Sequence, residues 1–274
     1  MKKVIIAFDG TQFSEGAFEL ARNLNELDPI LLGGVFIPQL SYANLWSYSG
    51  AMAGGAYVPM IEEEEGELIQ KNIEQFESLC IKNNISFSVR KDFNDFAVTE
   101  LKRETRFADL LIISSEAFYG SMMSTDPSSY IKEVIHQSEC PVIVIPEKFS
   151  FPSRNVIAYD GSASSVYALK QFAYLFPELA VNDTLLVYCN DNDSEDLPRE
   201  EYIEELAAQH YNNVNIIKLN VNPKKYFNDW LMEIGKPILI SGALGRSSIS
   251  QIFKKSFVSE IIQDHKLPVF IAHR

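Results

Sequence analysis

The feature that most constrains this chain is its internal repetition. "SSYIKEVIHQSECPVIVIP" at 128–146 is matched without a gap by "KSFVSEIIQDHKLPVFIAH" at 255–273, at a constant offset of 127. "KVIIAFDGTQFS" at 3–14 returns as "NVIAYDGSASS" at 155–165, each an apolar run that ends in Asp-Gly-Thr/Ser and leads into a helical pattern. "LLGGVF" at 31–36 is answered by "TLLVYC" at 184–189. A chain of 274 residues can bury two cores, one per copy. The repeats therefore predict a tandem duplication, with domains at 1–148 and 152–274. The boundary falls in "PEKFSFPSR" at 146–154, where two prolines and a serine interrupt the pattern. So short a joint predicts two domains packed together instead of two on a tether.

The offsets also locate where the copies differ. The offset is about 151 at the first strand and 127 at the last, so the first half carries roughly 24 extra residues between its second and third strands. These are "IPQLSYANLWSYSGAMAGGAYVPM" at 37–60, aromatic and glycine-rich with neither a helical nor an alternating period, and they read as a long loop. With Tyr42, Trp46, Tyr48 and Tyr57, the loop either meets a partner, covers a pocket or packs on its own domain.

Within each half, short apolar runs alternate with amphipathic stretches. In the first, strands are expected at Val4–Phe8, Ile30–Phe36, Ser86–Lys91, Asp109–Ser114 and Val142–Pro146, and helices at 14–27, 61–82, 96–107 and 129–138. Runs that are apolar throughout suit strands buried on both faces, and the intervening helices suit right-handed crossovers in a parallel sheet. Each half is expected to be a doubly wound α/β domain.

Composition narrows the function classes. No run of 18 apolar residues and no charged-then-apolar leader is present, so a soluble, cytoplasmic chain without a membrane partner is expected. Cys80, Cys140 and Cys189 are odd in number and lack metal-ligand spacing, which predicts buried thiols. A net charge of −13 argues against a nucleic-acid partner, which would need a basic face. The charge is uneven, at −10 for residues 1–150 and −3 for 151–274, so an anionic ligand meets less repulsion in the second half.

In open sheets of this type, ligands bind beyond the carboxyl ends of the strands, where the strand order reverses. Two segments per half lie at such ends: the Asp-Gly turn after strand one and the loop after strand four. In the second half that loop is "SGALGRSSISQIFKKS" at 241–256. Glycines would let backbone N–H groups approach an anion, and Ser256 at a helix start would add a hydroxyl and the positive end of a helix dipole.

On "AYDGSASS" at 158–165, "SGALGRSS" at 241–248 and the terminal serine-helix-proline-strand unit of each half, the chain resembles the universal stress protein family across its whole length, twice over. The resemblance implies two tandem five-stranded parallel-sheet domains of strand order 3-2-1-4-5, the adenine nucleotide alpha hydrolase-like fold, with strands one and four adjacent. It implies pairing of the two last strands within the chain as an internal pseudo-dimer. It also implies ATP, with Mg, held by a pattern of glycine, two residues, glycine, nine residues, glycine, Ser/Thr.

Gly242, Gly245 and Ser256 meet that spacing, and Lys255 stands in place of the third glycine, where its ammonium could pair with a phosphate. In the first half the same positions hold Ser115, Phe118, Ser128 and Ser129, with Glu116 adding a negative charge, so no nucleotide is expected there. By the same resemblance Asp160 and Gly161 lie on the adenine side, and Val187 and Tyr188 lie where a backbone group meets the base. Each has an alternative: Asp160, like Asp9, could simply cap the following turn, Val187 could be core strand, and Arg246 could either reach a phosphate or be an exposed arginine.

Catalysis has little support. His136, His210, His265 and His273 show no metal-binding or triad-like spacing, and no G-x-S-x-G elbow is present. The acidic run Glu62–Glu65 reads as a solvated helix start. The expectation is a stress-response protein that binds ATP or a related nucleotide in its second half, hydrolyses it slowly at most, and acts through protein partners. The alternative is a scaffold of the same fold that binds no nucleotide.

Overall fold

The structure is a computed structural model that describes residues 1–9, 12–37, 63–90, 97–116, 128–189, 196–219, 223–242, 262 and 267–272. The first half runs β1 (Lys2–Asp9), α1 (Glu15–Leu27), β2 (Ile30–Ile37), α2 (Glu63–Lys82), β3 (Ser86–Arg90), α3 (Ala97–Thr105), β4 (Leu110–Ser114), α4 (Ser128–Gln137) and β5 (Val142–Ile145). The second runs β6 (Arg154–Ala158), α5 (Ala163–Leu175), a short α6 (Pro177–Ala180), β7 (Asp183–Cys189), α7 (Glu200–His210), β8 (Val214–Leu219), α8 (Pro223–Ile234), β9 (Pro237–Gly242) and β10 (Val269–Ala272). The strands and helices expected in the first half all form, within a residue or two at their ends. Of the insertion expected at 37–60, Ile37 ends β2 and residues 38–60 lie outside the described residues.

Local chemistry explains the helices. Ser14 caps α1 by accepting from the Ala17 N–H at 3.1 Å. The helix then buries Ala17, Leu20, Ala21 and Leu24, one stripe at three- and four-residue spacing. α2 does the same with Ile69, Ile73, Phe76 and Cys80. In α5, Ser162 accepts from the Ser165 N–H at 3.1 Å, and Ala168, Leu169 and Phe172 point inward.

The strands form one ten-stranded sheet, in the order β3-β2-β1-β4-β5-β10-β9-β6-β7-β8. From either edge toward the middle, each half contributes its third, second, first, fourth and fifth strand. All neighbours are parallel except β5 and β10, which are antiparallel through Val144↔Val269, Ile143↔Phe270 and Val142↔Ile271. The pairing of the two last strands within the chain, which the family resemblance implied, makes the two halves' sheets continuous. β5 and β10 are four residues each and fully buried, and their pairing closes two apolar edges that would otherwise present unpaired backbone groups.

Each face of the sheet carries its own core. Val4, Ile6 and Phe8 face α1 and α2, in the same apolar layer that α5 and α7 complete in the second half. Ile5 and Ala7 face the other way, into a layer with Leu101 of α3, Val134 of α4 and Leu231 of α8. Burial on both faces is why the central strands read as unbroken apolar runs. The outermost strands β3 and β8 are only half-buried.

Candidate functional site

β6 and β9 are parallel neighbours in register from Arg154↔Pro237 to Ala158↔Ser241. Tyr159, Asp160 and Gly161 therefore leave the end of β6 beside Ser241 and Gly242, where β9 ends. The chain goes from β6 to β7 on one side, while β9 lies on the other, so this is the point where strand order reverses. The two segments singled out in the sequence share one crevice.

At its floor Asp160 performs the turn-capping role: its Oδ1 accepts from the Ser162 N–H at 2.9 Å. Among the described residues its Oδ2 makes no hydrogen bond. Ser162 caps α5, and the Ser165 hydroxyl donates to the Ser162 carbonyl at 3.0 Å. Gly161 has φ +75°, a left-handed conformation that favours glycine, and a Cβ there would come within 2.7 Å of the Pro198 Cβ. Val187 is fully buried in register with Ala158, and its carbonyl accepts from the Tyr159 N–H at 3.0 Å. Its side chain belongs to the core, and Tyr188 beside it is buried as well.

Gly242 is tightly constrained. A Cβ there would sit 2.5 Å from the Ser164 carbonyl carbon and 2.6 Å from the Ser165 nitrogen, in the first turn of α5. The close approach of helix and strand already demands glycine at this position, whatever else it does. Gly245, Arg246, Lys255 and Ser256 lie outside the described residues.

Sequence reasoning missed the residues that close one wall. The Tyr159 hydroxyl, on a side chain only 1% exposed, donates to the Pro198 carbonyl at 2.7 Å. Burial raises the Tyr159 phenol above its ordinary value, against a lowering influence of the nearby Arg199. Arg199, which precedes α7, has φ +54°, an uncommon conformation for a residue with a side chain. Pro198 thus lies over the Asp-Gly turn. Nothing in the "DLPRE" stretch signals this, because the contact is made across 39 residues of chain.

At the corresponding strand ends of the first half a carboxylate links the start of α1 to the end of β4. Glu147, just past β5, accepts from the Ser14 hydroxyl at 2.5 Å, the Ser114 hydroxyl at 2.6 Å and the Gly16 N–H at 2.9 Å. Ser115 is buried and donates its N–H to the Ile145 carbonyl at 2.9 Å. The Glu116 N–H is 3.2 Å from the Ser114 hydroxyl. Ser128 and Ser129 open α4, Asp9 ends β1 opposite Ile37, and Phe118 lies outside the described residues.

The two halves together decide the fold. This is the universal stress protein fold. A universal stress protein from Archaeoglobus fulgidus DSM 4304 superposes with a TM-score of 0.68 at 17% identity, over 100% of this chain and 96% of that one. A functionally unknown protein, PA1789 from Pseudomonas aeruginosa PAO1, matches with a TM-score of 0.58 at 8% identity, over 100% and 92%. A protein provisionally assigned to the universal stress proteins, from Pseudomonas aeruginosa UCBPP-PA14, matches with a TM-score of 0.56 at 9% identity, over 100% and 93%. No protein-family model and no curated protein matches the sequence. Identities this low establish the universal stress protein fold, and the chemistry of the crevice has to be read from its own residues.

On those residues, no group of three or more His, Cys, Asp or Glu able to hold a metal occurs among the described ones. His136 and His210 lie in the last turns of α4 and α7, and the His210 ring packs edge-on against Tyr174. Cys80, Cys140 and Cys189 are free, buried thiols, each pushed up to about 12 by burial. No helix among the described residues is long and apolar enough to cross a membrane.

Proposed function

We propose that the second half binds ATP or a related nucleotide, with Mg, in the crevice between β6 and β9, and that occupancy alters the surface shown to protein partners in a stress response. The observation that carries this reading is the adjacency of the Asp160–Gly161 turn and Gly242 beyond the carboxyl ends of two neighbouring strands, with the loop that contains Gly245, Arg246, Lys255 and Ser256 leaving from Gly242. The Asp160 Oδ2, without a hydrogen bond among the described residues, would face the base. The glycine-flanked loop supplies N–H donors and a lysine on the phosphate side. The milder negative charge of this half favours the same placement.

A second reading is supported by the packing. Gly161 and Gly242 are each already required by close neighbours, Pro198 and Ser164, so both glycines serve a scaffold equally well. Thermal unfolding with and without millimolar Mg-ATP separates the two. At a hundredfold excess over Kd the ligand adds about 2.7 kcal/mol. A Gly245→Asp variant, which sets a carboxylate against the phosphates, abolishes that gain. No thermal shift, together with no nucleotide released when the purified protein is denatured, leaves the scaffold reading standing.

A further inference from the structure

At the opposite end of the second half's sheet, a cavity of about 390 Å³ opens where the joint between the halves meets the starts of β9 and β10. The six residues of β9 separate it from the Asp160 crevice by roughly 17 Å. Phe149, Met232, Pro237 and Leu267 form an apolar wall, and Lys148 and Lys236 stand on the rim. The volume is in the range of small-molecule sites, and mixed apolar walls with a few placed charges are their usual composition.

The cavity is built from segments tied to one another. The Ser153 N–H donates to the Lys236 carbonyl at 3.1 Å, the Arg154 guanidinium donates to the Ile234 carbonyl at 3.3 Å, and the Leu239 N–H donates to the Pro268 carbonyl at 3.0 Å. Lys236 is held at φ +42°, next to Gly235 at +74°, so a lysine occupies backbone that glycine or asparagine adopts with less strain. Both lysines are exposed, and among the described residues neither forms an ion pair. Glu147, the carboxylate next to Lys148 in sequence, is engaged by Ser14, Ser114 and Gly16 and does not neutralise it. In a chain of net charge −13, two exposed lysines without an ion-pair partner among the described residues, beside an apolar wall with Met232 49% exposed, point to an anionic ligand with an apolar body. We propose that this cavity binds a small organic anion with an apolar body, of the medium-chain carboxylate class, its charge on the lysines and its chain along Phe149 and Met232.

Octanoate is the probe, with octanamide as its neutral counterpart. The chain has six methionines, so ¹³C-methyl spectra resolve Met232, assigned by loss of its signal in Met232→Leu. Octanoate shifts the Met232 methyl with a Kd of about 0.1–1 mM, as suits a ligand of this size. Octanamide binds at least tenfold more weakly. Lys148→Gln combined with Lys236→Asn weakens octanoate at least tenfold, and an unchanged Met232 position in the ligand-free double variant reports that the fold is kept. A Met232 signal unmoved by octanoate, equal shifts from octanamide, or equal affinity in the double variant would overturn the proposal.

Discussion

The two halves pack the first turn of their first helix against the sheet by opposite means. α1 and α5 are both 13 residues long, and the second residue is Gly16 in one and Ser164 in the other. In the first half the glycine is on the helix, where a Cβ would come 2.4 Å from the Pro146 carbonyl oxygen. In the second it is on the strand, as Gly242, where a Cβ would meet the Ser164 backbone. The buried Ser115 is the sequence counterpart of Gly242. The two contacts are made at different strands: Gly16 meets the segment just past the fifth strand, β5, whereas Gly242 ends the fourth strand, β9. What differs is the crevice that results. In the first half Glu147 accepts hydrogen bonds at the strand end, and its sequence counterpart at the offset of 127 is Arg274, a residue of opposite charge outside the described ones.

The largest test of this comparison is an alanine at each glycine. Gly242→Ala forces a methyl into backbone and should cost about 3 kcal/mol. Gly16→Ala meets an equally close backbone oxygen but gains helix propensity, so it should cost about 2 kcal/mol. Urea unfolding measures both, and a variant as stable as the parent at either site would show that the close contact there does not require glycine.

Glu147→Ala, which removes the acceptor of three hydrogen bonds, should destabilise by about 2 kcal/mol, with Glu147→Gln recovering part of it by keeping one carbonyl acceptor. A variant as stable as the parent would show that the carboxylate does not hold the first half's crevice closed.

A third test concerns the strand-one cores. Val4 lies opposite Leu32 in the first half, whereas the fully buried Asn155 lies opposite Thr184 in the second. The Asn155 amide donates to the Leu179 carbonyl at 2.8 Å and the Thr184 hydroxyl at 3.0 Å, and among the described residues its Oδ1 has no partner. Asn155→Val should cost about 1–2 kcal/mol, and adding Thr184→Val should cost about 1 kcal/mol less than the sum of the single changes. Additivity in the cycle would mean that the two side chains are energetically independent.

The smallest effect is on the thiols, which the halves share. Their pKa is raised from an ordinary 9.0 to about 12, so the folded protein holds these protons more tightly than the unfolded chain. The stability they contribute is complete below pH 9 and is lost as the pH rises from there toward about 12. At pH 8 a thiol reagent should react at the rate of unfolding, and rapid labelling of the native protein would contradict their burial.

Much of the fold could be read along the chain because it rests on local pattern. Strand positions followed from apolar runs such as Asp109–Ser114, and helices from amphipathic spacing in stretches such as 14–27 and 129–138. The neighbouring positions of Asp160–Gly161 and Gly242 followed from the strand order that the family resemblance implied, together with the rule for strand ends. The residues missed were those whose partners are distant in sequence: Pro198 over Gly161, Glu147 on Ser14, and Gly16 against Pro146.

By itself the sequence determined the periodicities, and with them a doubly wound α/β architecture written twice, since hydrophobic spacing and helix capping act over a few residues. Only the tertiary structure decided which residues of β5 and β10 meet, that Gly242 is already required by a helix, and that Glu147 accepts hydrogen bonds at the first half's strand ends. Those outcomes depend on ångström-scale contacts between segments a hundred or more residues apart in two of the three cases, and no local pattern encodes such distances.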